Sequence, residues 1–130
     1  ENDYSIFISD DIVVVFALTE DNQVVLLRQF YFSHQAYFST FVTGFTDELD
    51  PKEAAEKELR EEAGCSAQEW IYLGKSVRGK YAVGFAHFLL ARGVKQEFPQ
   101  ELEESEDITV QLVSLTRIEE MLKKGEITEI

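Results

Sequence analysis

Short apolar runs separated by polar turns dominate this chain, and they predict a β-sheet. The first run, residues 11–18, has no polar alternation, which is typical of a strand covered on both faces, so we expect it to be central. Asp21 and Asn22 supply a turn before a second run at residues 24–30, and the two runs predict a hairpin. Further strands are predicted at residues 5–8 (an edge strand), 38–42, 70–75, 85–92 and 109–114.

Two segments carry signals of a helix start and a helix end. Asp50 as N-cap, Pro51 at the first helical position, Glu53 in a capping box and Gly64 as the stop predict a first helix over Pro51–Ala63. A second capping box, with Thr116 as its N-cap, covers residues 116–119. The second helix has an apolar stripe of Ile118, Met121 and Leu122, and it ends at Lys123, Lys124 and Gly125.

Strands interrupted by two helices predict an α/β fold, an α/β/α sandwich with a mixed central sheet. No repeat, low-complexity tract or linker divides the 130 residues, so residues 1–130 are predicted to form a single domain. No stretch approaches the roughly 20 apolar residues that cross a bilayer. The chain opens without a signal-peptide pattern, and its single cysteine, Cys65, permits no internal disulfide. We therefore expect a cytoplasmic protein.

The formal net charge of −13 disfavours nucleic acid and anionic membranes as partners, because both would be repelled before contact. A small phosphorylated substrate is compatible with this charge only if bound metal ions reverse the local sign. The charge alone is equally well explained by a solvated acidic surface.

Three faces are expected on the first helix. Ala55, Leu59 and Ala63 form an apolar stripe, while two ion pairs at i,i+4 spacing, Glu53 with Lys57 and Glu56 with Arg60, form an ordinary solvated face.

The third face consists of Glu58, Glu61 and Glu62, whose spacing makes their carboxylates converge. Lys57 can relieve Glu61 from four residues back, but Glu58 and Glu62 have no basic residue at i±3 or i±4. Two interpretations remain open on the residues alone. Water or a distant lysine could compensate these charges, or a hard divalent cation with oxygen ligands could do so.

The segment from Gly44 to Cys65 resembles the signature of the Nudix family, G-x5-E-x7-R-E-U-x-E-E-x-G-U with U apolar. Its second half fits at Glu58, Leu59, Glu61, Glu62, Gly64 and Cys65. Its first half departs from the pattern. The spacing from Gly44 to Glu58 is one residue short, Leu49 stands where the signature has Glu, and Lys57 replaces its Arg. Asp47 and Glu48 are the neighbouring carboxylates that could take the vacant acidic role.

Outside the signature, the resemblance covers nearly the whole chain and is nearest to the ADP-ribose pyrophosphatase branch. Arg28-Gln29-Phe30 resembles the branch's R-Q-Y, and Val42-Thr43-Gly44 stands where P-A-G is usual. Residues 103–110 resemble its acidic loop, where a Glu commonly serves as catalytic base. Glu104 and Glu106 are the candidates, with Glu104 preferred.

The resemblance implies metal-dependent hydrolysis of the diphosphate linkage in a nucleoside diphosphate derivative, with ADP-ribose or a related nucleotide sugar as the expected substrate. It implies Mg²⁺, with Mn²⁺ as an alternative, on Glu58, Glu61 and Glu62, of which Glu62 is also expected to be catalytic. Arg28, Gly44 and Arg78 are the expected substrate-binding residues. The guanidinium groups of Arg28 and Arg78 can bind phosphate, and a surface role explains both arginines equally well.

The resemblance also allows a homodimer, and it leads us to expect that the chain is truncated at both ends. Leu49 and Lys57 leave open a module that binds or senses a nucleotide sugar with weak turnover. An acidic interaction domain without any ligand is a third reading, which the match at Glu58, Glu61 and Glu62 disfavours.

Overall fold

A computed structural model describes residues 11–129 of the chain, and the edge strand predicted at residues 5–8 lies outside this range. Two helices interrupt a succession of strands, as the sequence predicts. The elements in chain order are β1 (Ile12–Thr19), β2 (Gln23–Tyr31), β3 (Ala36–Thr40), β4 (Val42–Phe45), α1 (Pro51–Ala63), β5 (Cys65–Ser66), β6 (Glu69–Val77), β7 (Phe85–Gln96), β8 (Ile108–Ser114), α2 (Leu115–Lys123) and β9 (Ile127–Glu129).

The sheet is mixed, as expected, and it has two sections. In one section β1 pairs in parallel with β7 and antiparallel with β4, while β6 pairs with the far side of β7. In the other, β2 pairs antiparallel with both β3 and β8, and β3 pairs in parallel with β9. The predicted hairpin joins the two sections, because β1 and β2 pair next to its turn, where Leu18 faces Val24, and then join different sections. The single strand predicted at residues 38–42 is wrong: the chain forms β3 and β4 there and changes partner at Phe41.

The face of the sheet that carries α1 has a continuous apolar core. Val13, Val15 and Leu27 of the sheet are fully buried against the predicted stripe of α1. Ala55, Leu59 and Ala63 of that stripe, together with Ala54, are at most 1% exposed. Burial of this area holds α1 rigidly on the sheet.

A second core lies on the opposite face, under α2. Val14 of β1 packs there with Ile118 and Met121, so alternate residues of β1 serve the two cores and the strand is central, as predicted. Two predictions for α2 are wrong. Its N-cap is Ser114 rather than Thr116, and Leu122 is 48% exposed rather than part of the core stripe. Because α1 and α2 cover opposite faces, the α/β/α sandwich is confirmed.

Both ends of α1 form as the sequence predicts. The Asp50 carboxylate accepts the backbone N–H of Glu53 at 3.0 Å, and Gly64 ends the helix in the left-handed region at φ 68°, which a glycine adopts without strain. Within residues 11–129, no helix has the length and hydrophobicity that a bilayer crossing requires.

Candidate active site

A cavity of about 260 Å³ lies beside the acidic face of α1. The last residues of β4, with the turn after them, form one wall. The segment 97–107, which joins β7 to β8 and is called the acidic loop below, forms another. The residues that line it are Thr43, Gly44, Phe45, Asp47, Lys57, Glu58, Glu61, Glu62, Glu101, Glu103 and Glu106. Glu58, Glu61 and Glu62 therefore open on one cavity, in agreement with their predicted convergence.

Gly44 allows β4 to run close to α1 at this point. A Cβ atom at position 44 would lie 2.3 Å from Glu58 Cδ and 2.6 Å from its Oε2. Side-chain atoms do not tolerate such a distance, so any larger residue would displace this carboxylate. The close approach explains why the chain has a glycine here, and it places Gly44 against Glu58.

The two inner carboxylates of the cavity are held in an unfavourable environment. The pKa of Glu62 is raised to about 8, chiefly by burial and also by the charges of Glu58, Glu106 and Glu61, while a hydrogen bond from the Thr43 backbone opposes the shift. Without an added cation, Glu62 is therefore largely protonated at neutral pH.

Glu58 is in a similar position. The pKa of Glu58 is raised to about 7, chiefly by burial; the charge of Lys57 opposes this shift, and the charges of Glu61 and Glu106 contribute to it. Its side chain is only 14% exposed. Two adjacent carboxyl groups thus lose much of the favourable hydration that would keep them ionised.

Lys57 is the counter-ion of this cluster. Its Nζ lies 3.4 Å from Glu61 Oε1, as predicted, and also 3.9 Å from Glu58 Oε2. The expectation that Glu58 lacks a cation on its own helix is therefore wrong, although the contact is long. The predicted ion pair of Glu53 with Lys57 does not form, because Lys57 turns toward the cavity.

The pair predicted between Glu56 and Arg60 is also absent. The Arg60 guanidinium instead lies over the ring of Phe98, 3.9 Å from its centroid. Arg60 thus links the outer side of α1 to the acidic loop.

The chemistry of the cavity fits a divalent cation. Among residues 11–129, no three His, Cys, Asp or Glu side chains are placed so that together they could hold a metal ion as they stand, and Lys57 draws Glu61 toward itself. Nevertheless, Glu62 Oε1 is buried and lacks a hydrogen-bond partner within the described part of the chain. Such an atom is costly unless something satisfies it. A cation between Glu62, Glu58 and Glu61 would satisfy this oxygen and remove the mutual repulsion.

The two loop candidates for a catalytic base have different surroundings. Glu106 is half-buried, lines the cavity and acts electrostatically on Glu58 and Glu62. Glu104 is exposed and is not among the residues that line the cavity. The expected preference for Glu104 therefore has no support in this arrangement.

The two arginines predicted to bind substrate lie outside the cavity lining. Arg28 is exposed on β2, and its guanidinium stacks on Tyr37 at 4.7 Å from the ring centroid. Arg78 is half-buried, with its guanidinium 5.7 Å from the ring centroid of Phe45, a lining residue. Arg78 thus borders the cavity through Phe45.

Several cavity residues were not singled out in the sequence. Glu101 and Glu103 belong to the acidic run, whose composition was the only available signal. Asp47 was one of two carboxylates offered for the vacant acidic role. It lines the cavity and Glu48 does not. Both residues adopt positive φ in the turn after β4.

Comparisons with known proteins agree with this architecture. The sequence model of a protein family described as the NUDIX domain matches residues 9–129. A solved structure described as an ADP compounds hydrolase superposes with a TM-score of 0.79 at 22% sequence identity, covering 92% of this chain. The aligned region is 64% of that structure's chain, so this chain spans less than two thirds of its length. No curated protein sequence matches the chain.

Proposed function

Because the chain belongs to the Nudix family, we propose that it hydrolyses the diphosphate linkage of a nucleoside diphosphate derivative, with ADP-ribose or a related nucleotide sugar as its substrate. The observation that carries the proposal is the buried, unpartnered Glu62 Oε1 beside Glu58 in a cavity that Glu106 also lines. Paired buried carboxylates of this kind suit a divalent cation and the phosphate oxygens that it attracts. The family generally uses divalent metal ions.

Glu58, Glu61 and Glu62 are the residues that would hold Mg²⁺, or Mn²⁺ in its place. When bound, the metal supplies positive charge for the diphosphate oxygens and lowers the pKa of water. Lys57 would keep Glu61 oriented during turnover. Its single ammonium does this less rigidly than the planar fork of an arginine.

We assign the catalytic base to Glu106 rather than Glu104. Glu106 Oε1 accepts the backbone N–H of Glu103 at 2.8 Å, which fixes the carboxylate and leaves Oε2 to accept a proton. As the water oxygen bonds to phosphorus, the diphosphate P–O bond breaks and the water proton passes to Glu106. From ADP-ribose the products would be AMP and a sugar phosphate.

Gly44, Arg78 and Arg28 are proposed to contact the substrate. Gly44 lines the cavity in which the diphosphate would bind, and Arg78 adjoins the cavity beside Phe45. Arg28 and Tyr37 form a stacked pair near the exit of the acidic loop, where a planar base could be bound. The name of the similar solved structure, an ADP compounds hydrolase, is consistent with an adenosine diphosphate group in the substrate.

The decisive assay measures product release from nucleotide sugars, dinucleotides and nucleoside triphosphates, with and without Mg²⁺, for the wild type and a Glu62→Gln variant. We expect Mg²⁺-dependent hydrolysis of ADP-ribose that falls by at least about 100-fold in the variant. Metal-dependent binding of ADP-ribose without turnover would show that the protein is a sensor of the nucleotide sugar rather than an enzyme. Activity that survives Glu62→Gln would refute the metal site, and hydrolysis of triphosphates alone would refute the substrate class.

Lys57→Arg tests how far the altered signature limits the rate. An arginine could bridge Glu58 and Glu61 with two parallel hydrogen bonds, so we expect kcat to rise about threefold. Lys52→Arg is the matched control, since Lys52 is exposed on the first turn of the same helix and should leave kcat unchanged. Equal rates for all three proteins would show that Lys57 does not limit activity.

A further inference from the structure

The acidic loop is fastened to the end of the helix that carries the cluster of glutamates. The backbone N–H groups of Glu97 and Phe98 both donate to the carbonyl of Gly64 at 2.9 Å, and that of Glu101 donates to the carbonyl of Glu61 at 2.8 Å. Carbonyls in the last turn of a helix lack partners within the helix. The loop satisfies them, so its entry is fixed relative to α1.

Gln100 connects the two ends of this loop. Its Nε2 donates to the carbonyl of Glu62 at 2.7 Å and to that of Ile108, the first residue of β8, at 3.2 Å. One amide group therefore joins α1 to the residue at which the loop ends. The backbone between Gln100 and Ile108 is closed into a ring.

Glu106 lies within that ring and is oriented by it. Its backbone N–H donates to the carbonyl of Glu103 at 2.9 Å, while its Oε1 accepts the N–H of Glu103 at 2.8 Å. The residue after it, Asp107, is held from outside, since its carboxylate accepts the hydroxyl of Tyr37 at 3.0 Å. The side chain that faces Glu58 and Glu62 thus depends on the shape of the ring.

We propose that Gln100 is a positioning residue, whose amide closes the acidic loop on α1 and thereby sets Glu106 over the carboxylates of Glu58 and Glu62. The inference rests on the proposed function, in which Glu106 is the base. Gln100 touches neither substrate nor the reacting atoms in this role. It acts on kcat through the placement of Glu106, because a proton acceptor displaced by even 1 Å is much less effective.

Gln100→Glu is the sharpest variant, since it keeps the length of the side chain and removes both N–H donors. A carboxylate would then face two carbonyl oxygens, which opens the ring. We expect kcat for ADP-ribose to fall roughly tenfold, with KM unchanged. Gln100→Lys, a second variant whose side chain carries a donor of similar reach, should have a kcat close to that of the wild type.

Gln96→Glu is the matched control. Gln96 Nε2 donates to the carbonyl of Ala63 at 3.3 Å, so the same chemical change is made at the same end of α1 without touching the ring. This variant should keep both kcat and KM. A loss equal to that of Gln100→Glu would mean that any damage to the end of α1 lowers the rate, and it would overturn the inference.

Hydrogen exchange of the loop amides supplies a readout that needs no substrate. The Glu103 N–H, which is bonded to Glu106, should exchange about tenfold faster in Gln100→Glu and at the wild-type rate in Gln96→Glu. Faster exchange with unchanged kcat, or a change confined to KM, would refute the positioning role. If the wild type hydrolyses no substrate, the proposed function fails, and unchanged exchange would then refute the closure of the loop as well.

Discussion

At the scale of a single residue, the ionisation of Glu62 makes the free energy of unfolding depend on pH. Its pKa is about 8 in the folded chain, well above its ordinary value, so the folded state holds a proton that the unfolded state releases near pH 4 to 5. In metal-free buffer, the contribution of Glu62 to the free energy of unfolding is therefore fully present below that range and is lost as pH rises through about 8. We predict that Glu62→Gln removes this loss and is the more stable protein at pH 9, by on the order of a few kcal/mol.

Urea unfolding in EDTA at pH 5, 7 and 9 measures this difference. Glu61→Gln is the control, because Glu61 is paired with Lys57 at 3.4 Å and its charge is a smaller cause of the raised pKa of Glu62 than burial is, so this variant should keep most of the loss of stability. Parallel stability profiles for Glu62→Gln and the wild type would contradict the prediction.

Spacing along a helix predicted part of this electrostatic environment. The rule of i±4 neighbours gave the contact of Lys57 with Glu61, and it missed the contact with Glu58, which is adjacent in sequence. A long lysine side chain can turn back over its neighbour when a cavity draws it inward, and periodicity contains no information about that cavity. Part of the burial of Glu58 comes from β4, which packs against its side chain at Gly44 and lies outside the helix, beyond the reach of helical spacing.

At the scale of secondary structure, the ends of the helices were predicted best from the sequence. The start of α2 is the exception. The hydroxyl of Ser114 accepts the backbone N–H of Arg117 at 3.1 Å, whereas the capping box suggested Thr116. Ser114→Ala should therefore destabilise the protein by about 1 kcal/mol, and Thr116→Ala, inside the first turn, by a few tenths at most. Urea unfolding measures both, and a larger effect for Thr116→Ala would restore the original assignment.

The single strand predicted at residues 38–42 was wrong because the chain changes its pairing partner within that segment. Phe41 separates β3, which pairs with β2, from β4, which pairs with β1. Thr40 and Val42, on either side of it, are both β-branched, and no glycine or proline stands there, so nothing local marks the change of partner. The ends of α1 were predictable because Asp50 and Gly64 act on backbone groups only a few residues away.

At the scale of the molecule, the cavity is assembled from three segments: the end of β4 with its turn, α1 and the acidic loop. Helical spacing predicted that the glutamates of α1 converge, but only the family resemblance predicted that the acidic loop lies beside them. The resemblance offered both Glu104 and Glu106 and left Glu104 preferred, whereas Glu106 is the one that lines the cavity. That distinction depends on hydrogen bonds of the loop to α1, Ile108 and Tyr37, which follow from the packed fold.

The net charge of −13 means that any cation stabilises the whole molecule by screening repulsion. Stabilisation by Mg²⁺ bound at the metal site should be distinguishable from this general effect. Sodium chloride screens surface repulsion, so it should raise Tm gradually and without saturation. Mg²⁺ bound only by the folded chain should add a saturable increment of about 2.7 kcal/mol at one hundred times its Kd. We predict that thermal unfolding at matched ionic strength shows this increment in the wild type and loses it in Glu62→Gln. If sodium chloride reproduced the increment, or if Glu62→Gln retained it, the cation would be acting on the acidic surface rather than on Glu58, Glu61 and Glu62.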